Sequence, residues 1–225
     1  MHLKKCLAMG LMAAAMAGTA QAALIDRGGG MIYDTTLKIT WMQDFNYFGG
    51  RLSWRDAVTL VDSLVFGGYS DWRLPTLNPE DTSCSNSLVP FGPFPTQYYG
   101  YNCSEGELSH LFVIDLGNKA NETVFNQAGD TPEQIANLAL LLNMQANQYW
   151  SSTLYLEWRT GNVLNFHAGD GYQGPGGTGW WDQRFTVAVR DGDVAASIPE
   201  PHTLALALLS FGAMAMGRKR RLRSA

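Results

Sequence analysis

Six side chains in the second half of the chain have the types and spacing that hold a sugar. Trp158, Asp170, Tyr172, Trp180, Trp181 and Asp182 fall in or beside the glycine-rich run GDGYQGPGGTGWWDQ. Flat aromatic faces stack on pyranose rings, and neighbouring carboxylates accept hydrogen bonds from ring hydroxyls. The glycines of residues 169–179 read as a loop on a rigid scaffold, a usual place for recognition. Trp180 and Trp181 are adjacent, so in an extended segment they point to opposite sides and one of them is expected in solvent. Asp170 and Asp182, with Asp191 and Asp193, offer the hard oxygens that calcium takes. No stretch shows the dense alternating carboxylates of a calcium loop, so the reading assigns no metal and no cofactor.

Catalytic constellations are missing from the pattern. Ser70 in Gly68-Tyr69-Ser70 lacks the second glycine of a nucleophile elbow. His110 falls on a predicted helix near its apolar face, where a structural histidine is the plainer reading. Carboxylates are present by number but in no spacing that sets two across a cleft. A non-catalytic protein is expected.

Cys84 and Cys103 are the two cysteines left once the first 22 residues are set aside. A lone pair in an exported chain reads as a disulfide, and closing a loop of this length stabilises by about 3 kcal/mol. His110 and His167 stand at no zinc-site spacing from them.

The formal charge of −4 hides an asymmetry. Two of the 16 basic residues lie in the first 22 positions and five in the last eight, so between Ala23 and Ser197 nine bases face 19 acids. A body near −10 is a poor partner for phosphate backbones, which excludes nucleic acid.

Both ends read as addresses. Residues 1–22 run from Lys4-Lys5 through an apolar stretch to Ala20-Gln21-Ala22, the form of a secretory signal peptide cleaved after Ala22. Residues 198–225 begin Ile198-Pro199-Glu200-Pro201, continue through an apolar run over 204–216 and end in RKRRLR. Thirteen apolar residues fall short of the ~20 that span a bilayer comfortably, yet the arginines would hold this hydrophobic helix at the cytoplasmic face during export. The tail resembles a PEP-CTERM sorting signal. That resemblance implies recognition through Pro199, Glu200 and Pro201 by an exosortase-type sorting protease. It also implies a transient anchor in the cytoplasmic membrane through the C-terminal helix, and a final place in the cell envelope or extracellular matrix.

The elements between are those of an α+β domain over residues 23–197. Alternation in Met31-Ile32-Tyr33 and in Leu37-Lys38-Ile39-Thr40-Trp41-Met42, around Asp34-Thr35-Thr36, predicts an opening β-hairpin. Ser53 with Asp56 predicts a helix start, and Gly67-Gly68 its stop. Ser104 with Glu107 predicts a second helix, and Thr131-Pro132-Glu133-Gln134 a short third one leading into Ile135, Leu138 and Leu142. The Pro, Ser and Asn-rich stretch after Pro75 reads as a long loop pinned by the disulfide. Strands return at Tyr149-Trp150-Ser151-Ser152-Thr153, at Val163-Leu164-Asn165-Phe166 and from Arg184 to Arg190, so the two ends should meet in one antiparallel sheet. Trp41, Trp54, Trp72 and Trp150 read as core.

Residues 30–192 resemble the Lcl C-terminal domain family through Ile32-Tyr33-Asp34, Thr40-Trp41-Met42-Gln43-Asp44, Trp54-Arg55-Asp56-Ala57, Gly68-Tyr69-Ser70-Asp71-Trp72-Arg73-Leu74-Pro75-Thr76, Glu107-Leu108, Tyr149-Trp150-Ser151-Ser152-Thr153 and Val187-Ala188-Val189-Arg190. The resemblance implies a fold similar to C-type lectin-like domains and the formylglycine-generating enzyme. Through the collagen-like adhesin that names the family, it also implies affinity for extended acidic polysaccharides, although the acidic body disfavours sulfated ones. Two readings follow: an exported, carbohydrate-associated protein of the envelope or exopolysaccharide matrix, or a structural envelope protein with no ligand. An extracellular enzyme ranks below both.

Overall fold

The computed structural model describes residues 24–156 and 161–194. The signal peptide, the sorting tail with Pro199, Glu200 and Pro201, and Trp158 lie outside the described residues. Within them the fold is α+β, and no helix is long and apolar enough to cross a membrane.

The opening hairpin forms as the alternation predicts. β2 (Met31–Asp34) pairs antiparallel with β3 (Ile39–Met42), Ile32 opposite Trp41. β1 (Leu24–Gly28) adds on one side. On the other side comes β11 (Val189–Asp191), the last strand, so the two ends of the domain do meet in one sheet of order β1-β2-β3-β11. Ile32, Trp41 and Met42 are fully buried beneath it.

A single sheet does not hold all the strands. β7 (Gln148–Leu154), β8 (Asn162–His167) and β9 (Tyr172–Gly177) form a second, three-stranded antiparallel sheet. β9 overturns the expected glycine-rich loop. All six of its residues pair with β8, a pairing that needs backbone and no side-chain pattern. Its glycines serve that strand: a Cβ on Gly174 would strike the Tyr172 ring, and one on Gly176 would strike the Arg184 guanidinium. The expected strand from Arg184 to Arg190 also divides, because the chain changes sheets. β10 (Gln183–Arg184) pairs with β4 (Leu52–Ser53), Phe185 exchanges backbone bonds with Gln148 and Trp150, and β11 then joins β3.

The helices follow their capping residues unevenly. α1 (Trp54–Asp62) starts where Ser53 accepts from the Asp56 N–H, but it ends at Ser63, short of the glycines. Gly67 and Gly68 instead adopt φ +62° and +83° and make the two-residue turn across which Phe66 and Tyr69 exchange both backbone bonds. α2 (Glu107–His110) begins two residues later than its sequence box places it, with Gly106 and not Ser104 as N-cap, and runs into a π-helical turn over Leu111–Asp115. The Ser104 and Glu105 N–H groups, free to be capped in the expected arrangement, are taken by Asp81 at 2.7 and 2.9 Å. α3 (Pro132–Leu140) has the reciprocal Thr131–Gln134 capping box. Its fully buried residue is Asn137, and of the anticipated apolar residues Leu138 packs against the core while Ile135, and Leu142 beyond the helix end, are exposed.

The segment from Pro75 to Cys103 carries two short strands, β5 (Asn86–Leu88) and β6 (Gln97–Tyr99), paired antiparallel where no structure of their own was expected. Gly100 then bridges Gln173, which lays this segment against the free edge of β9.

Candidate functional site

A cleft of about 570 Å³ opens where that segment meets β7. Thr76, Pro79 and Glu80 line it side by side with Ser152, Thr153 and Leu154. Phe94 and Pro95 form part of the rim. Among the described residues the lining is therefore hydroxyls, the Gln97 amide, proline and apolar surface, with Glu80 its one ionisable side chain.

Two motifs fix the lining. In Trp72-Arg73-Leu74-Pro75-Thr76, the buried Trp72 donates from Nε1 to the Phe66 carbonyl. Arg73 exchanges backbone bonds with Val189 of β11, and its guanidinium takes Glu107 bidentately at 2.9 and 2.7 Å and Asp191 at 2.6 Å. Burial works against the Arg73 charge, but the Glu107 and Asp191 carboxylates outweigh it and raise its pKa. Glu107 also accepts the Thr76 N–H at 2.6 Å, which orients Thr76 at the cleft.

In Tyr149-Trp150-Ser151-Ser152-Thr153, Tyr149 and Trp150 are in the core. The Trp150 Nε1 donates to the Leu52 carbonyl, and Ser151 Oγ to the Leu164 carbonyl. The two motifs then bond to each other. The Ser152 N–H donates to the Pro75 carbonyl at 2.9 Å, while Thr153 Oγ1 accepts the Leu77 N–H and donates to the Leu77 carbonyl, both at 2.8 Å. Thr76, Ser152 and Thr153 were legible only as the polar ends of motifs whose tryptophans read as core.

The outer wall is held by the disulfide and one aspartate. Cys84 and Cys103 are bonded, as expected. Asp81, fully buried beside them, accepts the Ser83, Ser104 and Glu105 N–H groups and the Ser83 hydroxyl. Asp81 with these two sulfurs is the one cluster of metal-ligating residue types among the described residues. Its cysteines are committed to each other and its carboxylate is saturated with N–H donors, so the arrangement is structural.

The sequence-derived sugar site does not assemble as one surface. Tyr172 opens β9, whereas Trp180 and Trp181 follow its end, so about 17 Å of strand separates them. Tyr172 lies instead edge-on to Tyr101, at 5.4 Å between centroids, and burial together with Tyr99, Tyr101 and Asp170 raises its pKa. Asp170 pairs with His167 Nδ1 at 2.7 Å and accepts the Tyr172 N–H. Asp191 and Asp193 serve Arg73 and Arg27. Asp182 stands beside the turn that carries the two tryptophans, its N–H donating to the Gly179 carbonyl.

That turn corrects the expectation of one buried and one exposed ring. Both are exposed, Trp180 by 78% and Trp181 by 68%, and they meet each other edge to face at 5.5 Å. A turn, unlike an extended strand, lets adjacent side chains leave on the same side. The turn stands at the cleft end of the sheet: Gly177 pairs with Asn162, whose carbonyl accepts the N–H of Tyr155, and Leu154 and Leu156 line the cleft.

A model of the Lcl C-terminal domain matches residues 30–190, more than two thirds of the chain. No curated protein and no solved structure matches it.

Proposed function

The chain belongs to the Lcl C-terminal domain family, and from that premise we propose that it is an exported, non-catalytic protein of the cell envelope or exopolysaccharide matrix that binds a carbohydrate chain in the cleft. One observation carries the reading: the two most distinctive motifs of the body hydrogen-bond to each other and together line a cleft whose described surface is hydroxyl, amide, proline and apolar carbon with one carboxylate, Glu80. Such a lining pairs with the hydroxyls and C–H faces of sugars. The exposed Trp180–Trp181 pair at the same end of the sheet supplies a stacking surface for further units of an extended chain. The lectin-like fold belongs to the same proposal, supported by the paired chain ends and by the disulfide-pinned segment beside the second sheet.

Export is supported by the signal-type residues 1–22 and by the disulfide, which suits an oxidising compartment. Sorting by an exosortase-type protease is supported by the three-part pattern of residues 198–225. The structural, ligand-free alternative is retained for one test. The full chain is screened on a glycan array, and the glycan with the strongest signal is titrated against wild type and Ser152→Trp. Ser152 is an exposed cleft residue whose backbone bond to Pro75 survives the change. Binding that falls at least tenfold in the variant, with an unchanged melting temperature, supports the cleft. No binding by wild type leaves the structural role. For the tail, cell fractionation of a chain lacking residues 198–225 should show it released where the full chain stays with the envelope.

A further inference from the structure

Outside the cleft lining, Asp34 and Asp115 act on each other in the protein interior, where other partners are few. Asp34 ends β2, and its Oδ1 accepts the Thr36 and Leu37 N–H groups of the hairpin turn, each at 2.9 Å. Its Oδ2 is buried with no partner, and so are both carboxyl oxygens of Asp115 at the end of the π-helical turn. Each residue is 1% exposed. His110, from α2, brings Nε2 to 3.9 Å from Asp115 Oδ1, too far to hydrogen-bond, and that nitrogen is also buried and unpartnered. Glu133 of α3 adds a further negative charge to the surroundings. Two ionised carboxylates in such a place would be desolvated and mutually repelled, whereas a proton between them removes one charge and makes a hydrogen bond.

We propose that Asp34 and Asp115 share one proton and form a pH-dependent latch between the β2–β3 hairpin and the π-helical turn. The latch sits at a junction of four elements. Asn137 of α3 donates from Nδ2 to the Asp115 carbonyl at 2.9 Å, and its Oδ1 accepts the Leu24 N–H of β1. Ionising both carboxyls therefore loosens the terminal sheet against the helices.

Burial first, then Asp34, then Glu133, push the Asp115 carboxyl up to about 8 from its ordinary 3.8. The folded chain thus keeps a proton that the unfolded chain loses above pH 4 or so. The latch contributes fully below that pH, its contribution declines as pH rises, and it is gone once pH passes about 8.

The test is thermal melting of the full chain across pH 4–9 for wild type, Asp115→Asn and Asp34→Asn. Asparagine keeps the volume and cannot ionise. The wild-type melting temperature should fall by roughly 5–10 °C more than that of Asp115→Asn as pH rises through this range. Asp115→Asn should melt above wild type at the alkaline end. Parallel profiles for wild type and Asp115→Asn overturn the latch. Infrared spectroscopy of wild type keeps the proposal exposed even where a variant fails to fold: a protonated-carboxyl band at pH 7 that titrates away near pH 8 supports it, and no such band at pH 7 overturns it. Calcium or zinc that raises the wild-type melting point at neutral pH, but not that of Asp115→Asn, makes the pair a cation site and overturns the latch as well.

Discussion

Five tryptophans among the described residues divide into two kinds, and the division separates rings that hold the fold together from rings left in solvent. Trp54, Trp72 and Trp150 each donate from Nε1 to a backbone carbonyl, those of Ser151, Phe66 and Leu52 respectively. For Trp54 and Trp150 the partner lies more than 90 residues away in the chain. These rings fasten α1, β4 and β7 into one body, with Trp54 half-buried and the other two buried. Trp180 and Trp181 touch each other and stand in solvent. Large exposed apolar rings in a pair contribute little to a core, and such patches mark interaction surfaces.

The comparison breaks most readily at Trp150. Its ring carries the Arg184 guanidinium 4.1 Å from the centroid, and that guanidinium has Nε and Nη1 buried and unpartnered. Removal of the ring leaves a cavity, an unbonded Leu52 carbonyl and a buried cation without its aromatic face. Trp150→Ala should cost at least the ~3–5 kcal/mol of a large core truncation, read from urea unfolding. A loss near 1 kcal/mol would show that Trp150 is not the fastener described.

A smaller effect is expected from Cys84→Ser with Cys103→Ser. Freeing this loop should cost about 3 kcal/mol in the chain-entropy account. Hydrogen exchange should locate the change. Amides between Leu77 and Cys103 should lose protection, while those of β2 and β3, which pair with neither β5 nor β6, keep theirs. Uniform loss across both would mean that the cleft wall and the terminal sheet unfold as one unit, and the contrast between a fixed body and a pinned wall would fall.

What was legible in the sequence follows the range of the interaction. The β2–β3 hairpin, the start of α1 and the Thr131–Gln134 box depend on residues within a few positions, and each stands where its local pattern placed it. The cysteine pair was legible because only two cysteines remained to pair. α2 was misplaced because its rival partner, Asp81, lies 23 residues upstream of Ser104. β9 was invisible because its order comes from β8 through backbone bonds, while its glycines advertise freedom. The cleft needs Thr76 and Ser152 side by side, and nothing near either one announces the other. The Asp34–Asp115 contact is hidden for the same reason.

The finest test of the contrast lies in the exposed pair. Trp180 and Trp181 each keep most of their surface in water, so truncating either removes little that folding had buried. Trp180→Ala and Trp181→Ala should therefore each change stability by less than about 0.5 kcal/mol, within the scatter of ordinary surface substitutions. Their mutual edge-to-face contact is the ring contact that either stands to lose among the described residues. In glycan titration the same variants should cost about 1–3 kcal/mol of affinity, the scale of losing an aromatic anchor from an interface. Because the turn stands beside the cleft and not inside it, this loss should appear with a long oligosaccharide and vanish with a disaccharide that occupies the cleft alone. Equal losses for both lengths would place the rings in the primary site, and a clear fall in melting temperature would return them to the first kind of tryptophan.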